Sequence, residues 1–352
     1  MQMGHSDPLA AYPCSSRLEA LPVEILQLIF LHSLEINLPR ASPHLARALS
    51  NPVLYTWLIR LVFSSTNPGS RESFFTPDFL PPPLDFWSLS WEKRQQLQTD
   101  ILACRWCTLP LIRRCQREYV AHAVRQKCAD LVFSESDQAV LADLDSRFAN
   151  LNDSDHAVDG HRGKGDLVIP AQLPEAERPS VSRSVDRKVA FWFHFGAVQI
   201  REPNEFYFEN DLFRLPASVV IGPGRIPDKL LRPPWSDAQF DFLALLSTDF
   251  YLDENEGTAE RSEEITNNLI RRREIEPFRR LLRMSFRAAN CRIPGKWPLQ
   301  SSHYEMIQRR GRRPANEIAA VILDERWDEI PATSKDGLMR LAGSSSAARD
   351  SV

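Results

Sequence analysis

The sequence predicts a mainly α-helical chain that carries one small antiparallel sheet. Three observations lead there. A short polar residue followed by proline, the signal that caps a helix and starts its first turn, recurs along the chain. Apolar side chains return at helical spacing through most of the sequence. Only residues 188–222 are dense in aromatic and β-branched side chains. Twenty-six prolines against thirteen glycines fit this picture, with many helix starts and extended connections and few glycine-dependent turns.

Residues 1–17 read as a flexible lead and residues 18–63 as three short helices. In the first helix Leu21, Ile25, Leu26, Leu28, Ile29, Leu31 and Leu34 make an apolar stripe wider than one core-facing side needs. Pro22 opens it, and Glu24 stands in its first turn, where negative charge is favourable. A short helix that is apolar on more than one face must be covered on both, which points to a binding module. Asn37 is placed to cap a further turn that contains Pro39. Ser42-Pro43 and Asn51-Pro52 repeat the signal before HLARALS and VLYTWLIRLVF. Three such helices bury too little surface to stand alone, so they need the rest of the chain, a partner, or both.

Residues 64–149 are expected to be an aromatic, proline-rich loop and helices packed on the first three. Phe74, Phe75, Phe79, Leu80, Phe86 and Trp87 are too apolar for a solvated linker, and Pro81-Pro82-Pro83 favours an extended backbone. A helix is expected from Ser90 to about Cys104. A second follows a Thr108 cap, with Leu111, Cys115, Tyr119 and Ala123 at four-residue spacing, and residues 137–149 add a turn or two. Residues 150–186 are rich in Asp, Ser, Gly, Arg and Pro and read as a disordered linker or loop. Their GHRGKG lacks the spacing, the preceding strand and the following helix of a phosphate loop.

Residues 187–342 are expected to hold a small sheet and then helical hairpins, with a flexible tail at 343–352. VAFWFHFGAVQI reads as the first strand. FYFE and ASVVIG read as further short ones, with a turn at Pro203-Asn204. Ser236-Asp237 then caps a helix through AQFDFLALLSTDFYL. Glu260–Arg273 and Glu274–Ala289 read as one helical pair, and Ser302–Gln308 and Ala315–Leu323 as a shorter one.

A length of 352 residues allows two or three domains, and the net charge of −3 gives no overall preference for a polyanion. No run of about twenty apolar residues exists, so no membrane span is expected. The N-terminus lacks the basic start and apolar core of a secretory signal, and six cysteines suit a reducing compartment. The cytoplasm, the nucleus or both are the expected location.

Leu21-Pro22-x-Glu24-Ile25-Leu26-x-x-Ile29-Phe30 resembles the opening LPxEILxxIF of an F-box. Leu38 and Leu54-Tyr55 stand where that motif carries later leucines and a Leu-Trp pair. The middle departs from it: the usual acidic residue is Asn37 or is displaced to Glu35, and Ser42-Pro43-His44-Leu45-Ala46 replaces a Val-Cys-Lys-x-Trp stretch. The likeness covers about an eighth of the chain and is closest to the divergent F-box of large fungal families. IPDKLLRPPWSDAQFDFLALL resembles a stretch that precedes ankyrin-like helix pairs in the same group, although no T-P-L-H signature or clean 33-residue period is present. The resemblance implies docking on a Skp-type adaptor of a cullin-RING ubiquitin ligase. Leu21, Pro22, Glu24, Ile25, Leu26, Ile29, Phe30 and Leu38 would be the contact residues.

No pattern for catalysis stands out. Cys104-x-x-Cys107, with Cys115, Cys128 and His122, is the best metal candidate. Its spacing fits no known finger and no second CxxC follows, so these read as core thiols, with no metal and no cofactor expected. No thioredoxin-like setting supports a redox role. The histidines make no HExxH or HxH pair, no GxSxG elbow occurs, and His194 reads as a histidine within an aromatic strand. Arg279, Arg283 and Arg287 share one helix face within an arginine-rich stretch, Arg271–Arg313. That face is a candidate site for an acidic partner, or else is solvated or paired internally, with the acidic run 249–264 as a source of partners. No nucleic-acid-binding motif accompanies it, which speaks against nucleic acid.

The resulting expectation is a non-catalytic substrate receptor, with the N-terminal helices on the Skp-type adaptor and the C-terminal region on an unidentified target protein. The alternative is a helical scaffold in which the Phe74–Trp87 loop covers the first helix.

Overall fold

The computed structural model describes residues 16–64, 74–144, 167–172, 186–192, 197–201, 211–212, 225–247, 250–252, 260–287, 295–310 and 313–346. It is mainly helical, with twelve α-helices and short antiparallel sheets among those residues.

The N-terminal helices form as their punctuation predicts. They are α1 (Val23–Ser33), α2 (Pro43–Leu49) and α3 (Pro52–Phe63). The Ser42 hydroxyl accepts from the Leu45 N–H at 3.2 Å, and Asn51 Oδ1 accepts from the Val53 N–H at 2.9 Å. Asn37 does not cap the 3-10 turn Leu38–Arg40. Its backbone is already helical and its Oδ1 accepts from the Arg40 guanidinium.

The aromatic segment packs on α3 and on α4 (Trp91–Ala103) and α5 (Leu109–Lys127). Phe74 and Phe79 lie against Tyr119 and His122 of α5. The Arg60 guanidinium sits 4.6 Å from the Phe79 ring and donates to the Phe79 carbonyl and to Glu118, which joins α3, the segment and α5. Arg94 lies 3.6 Å from the Phe86 ring, and burial pushes its pKa down to about 10. Ser90 caps α4 through the Lys93 N–H, whereas Thr108 makes no capping bond at α5. Cys115, Tyr119 and Ala123 are fully buried, as their spacing predicts. A short α6 (Glu135–Ala142) follows.

The sheet departs from expectation in two ways. Leu167–Gln172, inside the stretch expected to be a linker, is a strand (β1). The run expected as one strand is a hairpin: β2 (Asp186–Trp192) pairs antiparallel with β3 (Ala197–Arg201), Phe191 opposite Val198. β4 (Asp211–Leu212) completes the order β1-β2-β3-β4. The first correction is a long-range effect, because a strand such as β1 exists only through its partner; the second is local, since Trp192 pairs with Ala197 five residues on. Ile169 and Ala171 of β1 are buried and Val168 is exposed, the alternation of a strand covered on one face. Val189, Ala190 and Phe191 of β2 are all buried, so this strand is covered on both. β3 packs on α5. The strands expected at 206–209 and 217–222, the turn at 203–204 and His194 lie outside the described residues.

The C-terminal half is helical. α7 (Asp237–Ser247) packs on α5, and α8 (Glu260–Arg272) on α9 (Ile275–Arg283). The helix expected to reach Ala289 stops at Arg283, and Ser285–Phe286 (β5) pairs with Gly295–Lys296 (β6). Phe286 is buried edge-on to Trp297, 5.1 Å between ring centroids, and that packing outweighs the helical period. α10 (Ser301–Arg310), α11 (Arg313–Arg326) and α12 (Ala332–Ser346) close the fold as helical hairpins. α12 was not expected, and it runs into the stretch read as a flexible tail. It approaches α10 so closely that a Cβ at Gly337 would lie 2.6 Å from Gln308 Nε2. One continuous apolar cluster extends from Phe30 to Leu338 and takes in the buried residues of both halves.

Candidate functional site

The motif-bearing helix α1 is held from one side. Leu26 is wholly buried and forms a small cluster of its own with Leu45 and Ala48 of α2, against which Leu18, Leu21 and Leu38 pack. Gln27 Nε2 donates to the Ala48 carbonyl at 3.1 Å and fixes the same pair of helices. Phe30 and Leu31 enter the main core with Leu49 and Leu54. At the far end Leu34 takes a left-handed φ of 52°, and its N–H returns to the Phe30 carbonyl at 2.8 Å.

The opposite side is open. Ile25 is 42 % and Leu28 44 % exposed, and Ile29 beside them is half-buried. Residues 25, 28 and 29 have the i, i+3, i+4 spacing that makes one ridge on a helix. Pro22, Val23 and Glu24 are exposed at its N-terminal end. The aromatic segment, a candidate cover for this face, packs instead on Arg60, Arg94, Tyr119 and His122.

The eight sequence-predicted contact residues therefore divide. Pro22, Glu24 and Ile25 are exposed; Leu21, Ile29 and Leu38 are half-buried; Leu26 and Phe30 are core. Leu26 and Phe30 are corrected from contact to scaffold, because a partner cannot reach them while α1 stays packed. Leu28 is the residue the motif missed, since it stands at an unspecified position. Its spacing from Ile25 was the signal that could have found it.

The second predicted surface does not survive as a free cationic face. Arg279 lies 4.0 Å from Glu276, and Arg280 bonds Asp237 while stacking on Phe240. Arg283 reaches Glu325 at 2.6 Å, which raises the guanidinium pKa further. Arg287 also has an interaction partner. Glu276 lies on α9 itself, whereas Asp237 of α7 and Glu325 of α11 reach Arg280 and Arg283 from other helices.

The cysteines occupy the core. Cys104, Cys107, Cys115 and Cys128 are free and buried. Burial pushes the Cys107 and Cys115 thiols up to about 12 and raises Cys104 as well. A thiol so far above neutrality is almost wholly protonated and is a poor nucleophile. Among the described residues no group of three or more His, Cys, Asp or Glu is arranged to hold a metal, and no helix is long and apolar enough to cross a membrane.

No protein family, curated protein or solved structure matches the chain.

Proposed function

We propose that the chain is a non-catalytic adaptor of the F-box kind. In this reading the outer ridge of α1 docks on a Skp-type adaptor of a cullin-RING ubiquitin ligase, in the cytoplasm or nucleus, and the region 187–342 recruits a protein to be ubiquitylated. The adaptor acts by raising the effective concentration of target lysines near the ligase-bound conjugating enzyme. The observation that carries the reading is the ridge Ile25–Leu28–Ile29, apolar and open on a helix whose other side is fully engaged. Full burial of an aliphatic side chain is worth about 1.5–3 kcal/mol, so three half-open ones leave a partner a few kcal/mol to gain.

The test is co-purification with a purified recombinant Skp-type adaptor. The unmutated chain is expected to retain it. Ile25→Asp and Leu28→Asp are expected to release it while leaving the melting temperature within the small range of surface substitutions. Failure of the unmutated chain to retain the adaptor would end this reading.

A further inference from the structure

The C-terminal half contains a cleft of about 600 Å³ between residues 225–235 and α8. Arg261 fixes its two walls. One guanidinium nitrogen donates to the Leu252 carbonyl at 3.1 Å, and the other donates to the Ile226 carbonyl at 2.5 Å and to Asp228. Asp228 also faces Arg232 at 3.6 Å, so this one carboxylate is shared by two guanidinium groups.

The α8 wall is different. Glu260, Glu264, Asn268 and Arg272 line the cleft at four-residue intervals and are all exposed. Among the described residues their side chains have neither an ion-pair nor a hydrogen-bond partner. The row spans about 18 Å at 1.5 Å per residue. It reads acid, acid, amide, base. Glu264 follows Glu260 by one turn, a like-charge pair that mildly opposes helix formation. Glu274 lies two residues beyond Arg272 and moderates the charge of that end, and Leu231, Pro233 and Trp235 supply an apolar opposite wall.

We propose that this cleft binds an extended peptide segment of a protein partner, basic at one end and acidic at the other. An extended chain covers about 18 Å with five or six residues. Its lysine or arginine side chains would meet Glu260 and Glu264, and its carboxylate would meet Arg272. The Asn268 amide, donor and acceptor together, suits the peptide backbone between them. As the site where a ligase target is held, the cleft rests on the adaptor reading; as a peptide site it does not.

The experiment uses the full chain without any Skp-type adaptor, so its outcome is independent of α1. The probes are fluorescein-labelled hexapeptides, Lys-Arg-Leu-Ala-Ser-Asp and its reversed sequence, read by fluorescence anisotropy. One of the two is expected to bind saturably, with affinity falling about tenfold on Glu264→Lys and on Arg272→Glu. Glu264→Lys is expected to gain affinity for the same peptide with Asp-Glu in place of Lys-Arg, which a merely unfolded variant could not do. The proposal is overturned if neither peptide binds, or if binding is indifferent to both substitutions. Displacement by inorganic phosphate with no effect of Glu264→Lys would also overturn it, because the cleft would then be an anion site of its arginines. Adaptor retention without peptide binding would remove this inference alone; peptide binding without adaptor retention would remove the adaptor reading alone.

Discussion

His303 and Arg326 are both buried polar side chains, and each holds a helix end in place. His303 is fully buried at the start of α10, where its Nδ1 accepts from the Gln300 N–H at 2.9 Å. That bond requires an unprotonated Nδ1, and burial lowers the pKa of the ring below the ordinary histidine value, with Glu263 opposing the shift. His122, whose ring nitrogen bonds the Phe74 carbonyl, is lowered for the same primary reason. The native state thus resists protons that the unfolded chain accepts near pH 6.5. Stability from these rings is complete above about pH 6.5 and is lost as pH falls through the lower native values. The urea midpoint is expected to drop between pH 7 and pH 5, and to drop less in His303→Gln. Equal slopes in the two proteins would refute it. Each unit of depression is worth about 1.4 kcal/mol at the acid end. Neither role was legible in the sequence, because an isolated histidine in a helical pattern carries no sign of what will bury it. Arg326 shows the same limit. It was not singled out among the arginines, yet it is 2 % exposed and donates to the Leu282 carbonyl at the end of α9 and to Glu329.

Individual elements were legible where a local rule decided them. Ser42 and Asn51 cap as read, since each needs only its own hydroxyl or amide and an N–H two or three residues on. The strand β1 and the stop of α9 were misread because each depends on a partner outside its own segment, and the hairpin β2–β3 because an unbroken aromatic run reads as one strand. In α1 the periodicity showed an apolar helix but could not divide its faces. Packing against Leu45 and Ala48 does that. The division has a measurable form. Leu26→Ala removes a wholly buried side chain and is expected to cost about 2–5 kcal/mol in urea denaturation. Ile25→Ala, one residue earlier, is expected to change stability by less than about 1 kcal/mol, because Ile25 is already 42 % exposed. Comparable losses at both positions would mean that the ridge is covered, and the docking surface would go with it.

At the scale of the molecule, a chain of 352 residues ordinarily divides into separately cored domains. Here the main apolar cluster joins α1 at Phe30 to α12 at Leu338. A partly buried cation reinforces the junction. The Lys229 ammonium donates to the Cys104 carbonyl at 2.5 Å and the Cys107 carbonyl at 2.6 Å, at the turn between α4 and α5. The Cys104 carbonyl lies at the C-terminal end of α4, where positive charge is favoured by the helix dipole. Burial lowers the Lys229 pKa, so the ammonium has given up part of its hydration, and the two carbonyls replace that solvent. Lys229→Met keeps the aliphatic stem and removes the charge, leaving the carbonyls without this donor at a cost of about 1–3 kcal/mol. Because both halves share one core, the loss is expected as a downward shift of a single calorimetric transition. Two separated transitions in the unmutated chain would contradict the shared core. Two transitions only in Lys229→Met would mean that this one cation, rather than the apolar cluster, makes the halves unfold together. Hydrogen exchange over residues 225–235 should rise in the variant before that over α5, since the segment is tethered by Lys229 whereas α5 is anchored by Ile112, Cys115 and Tyr119.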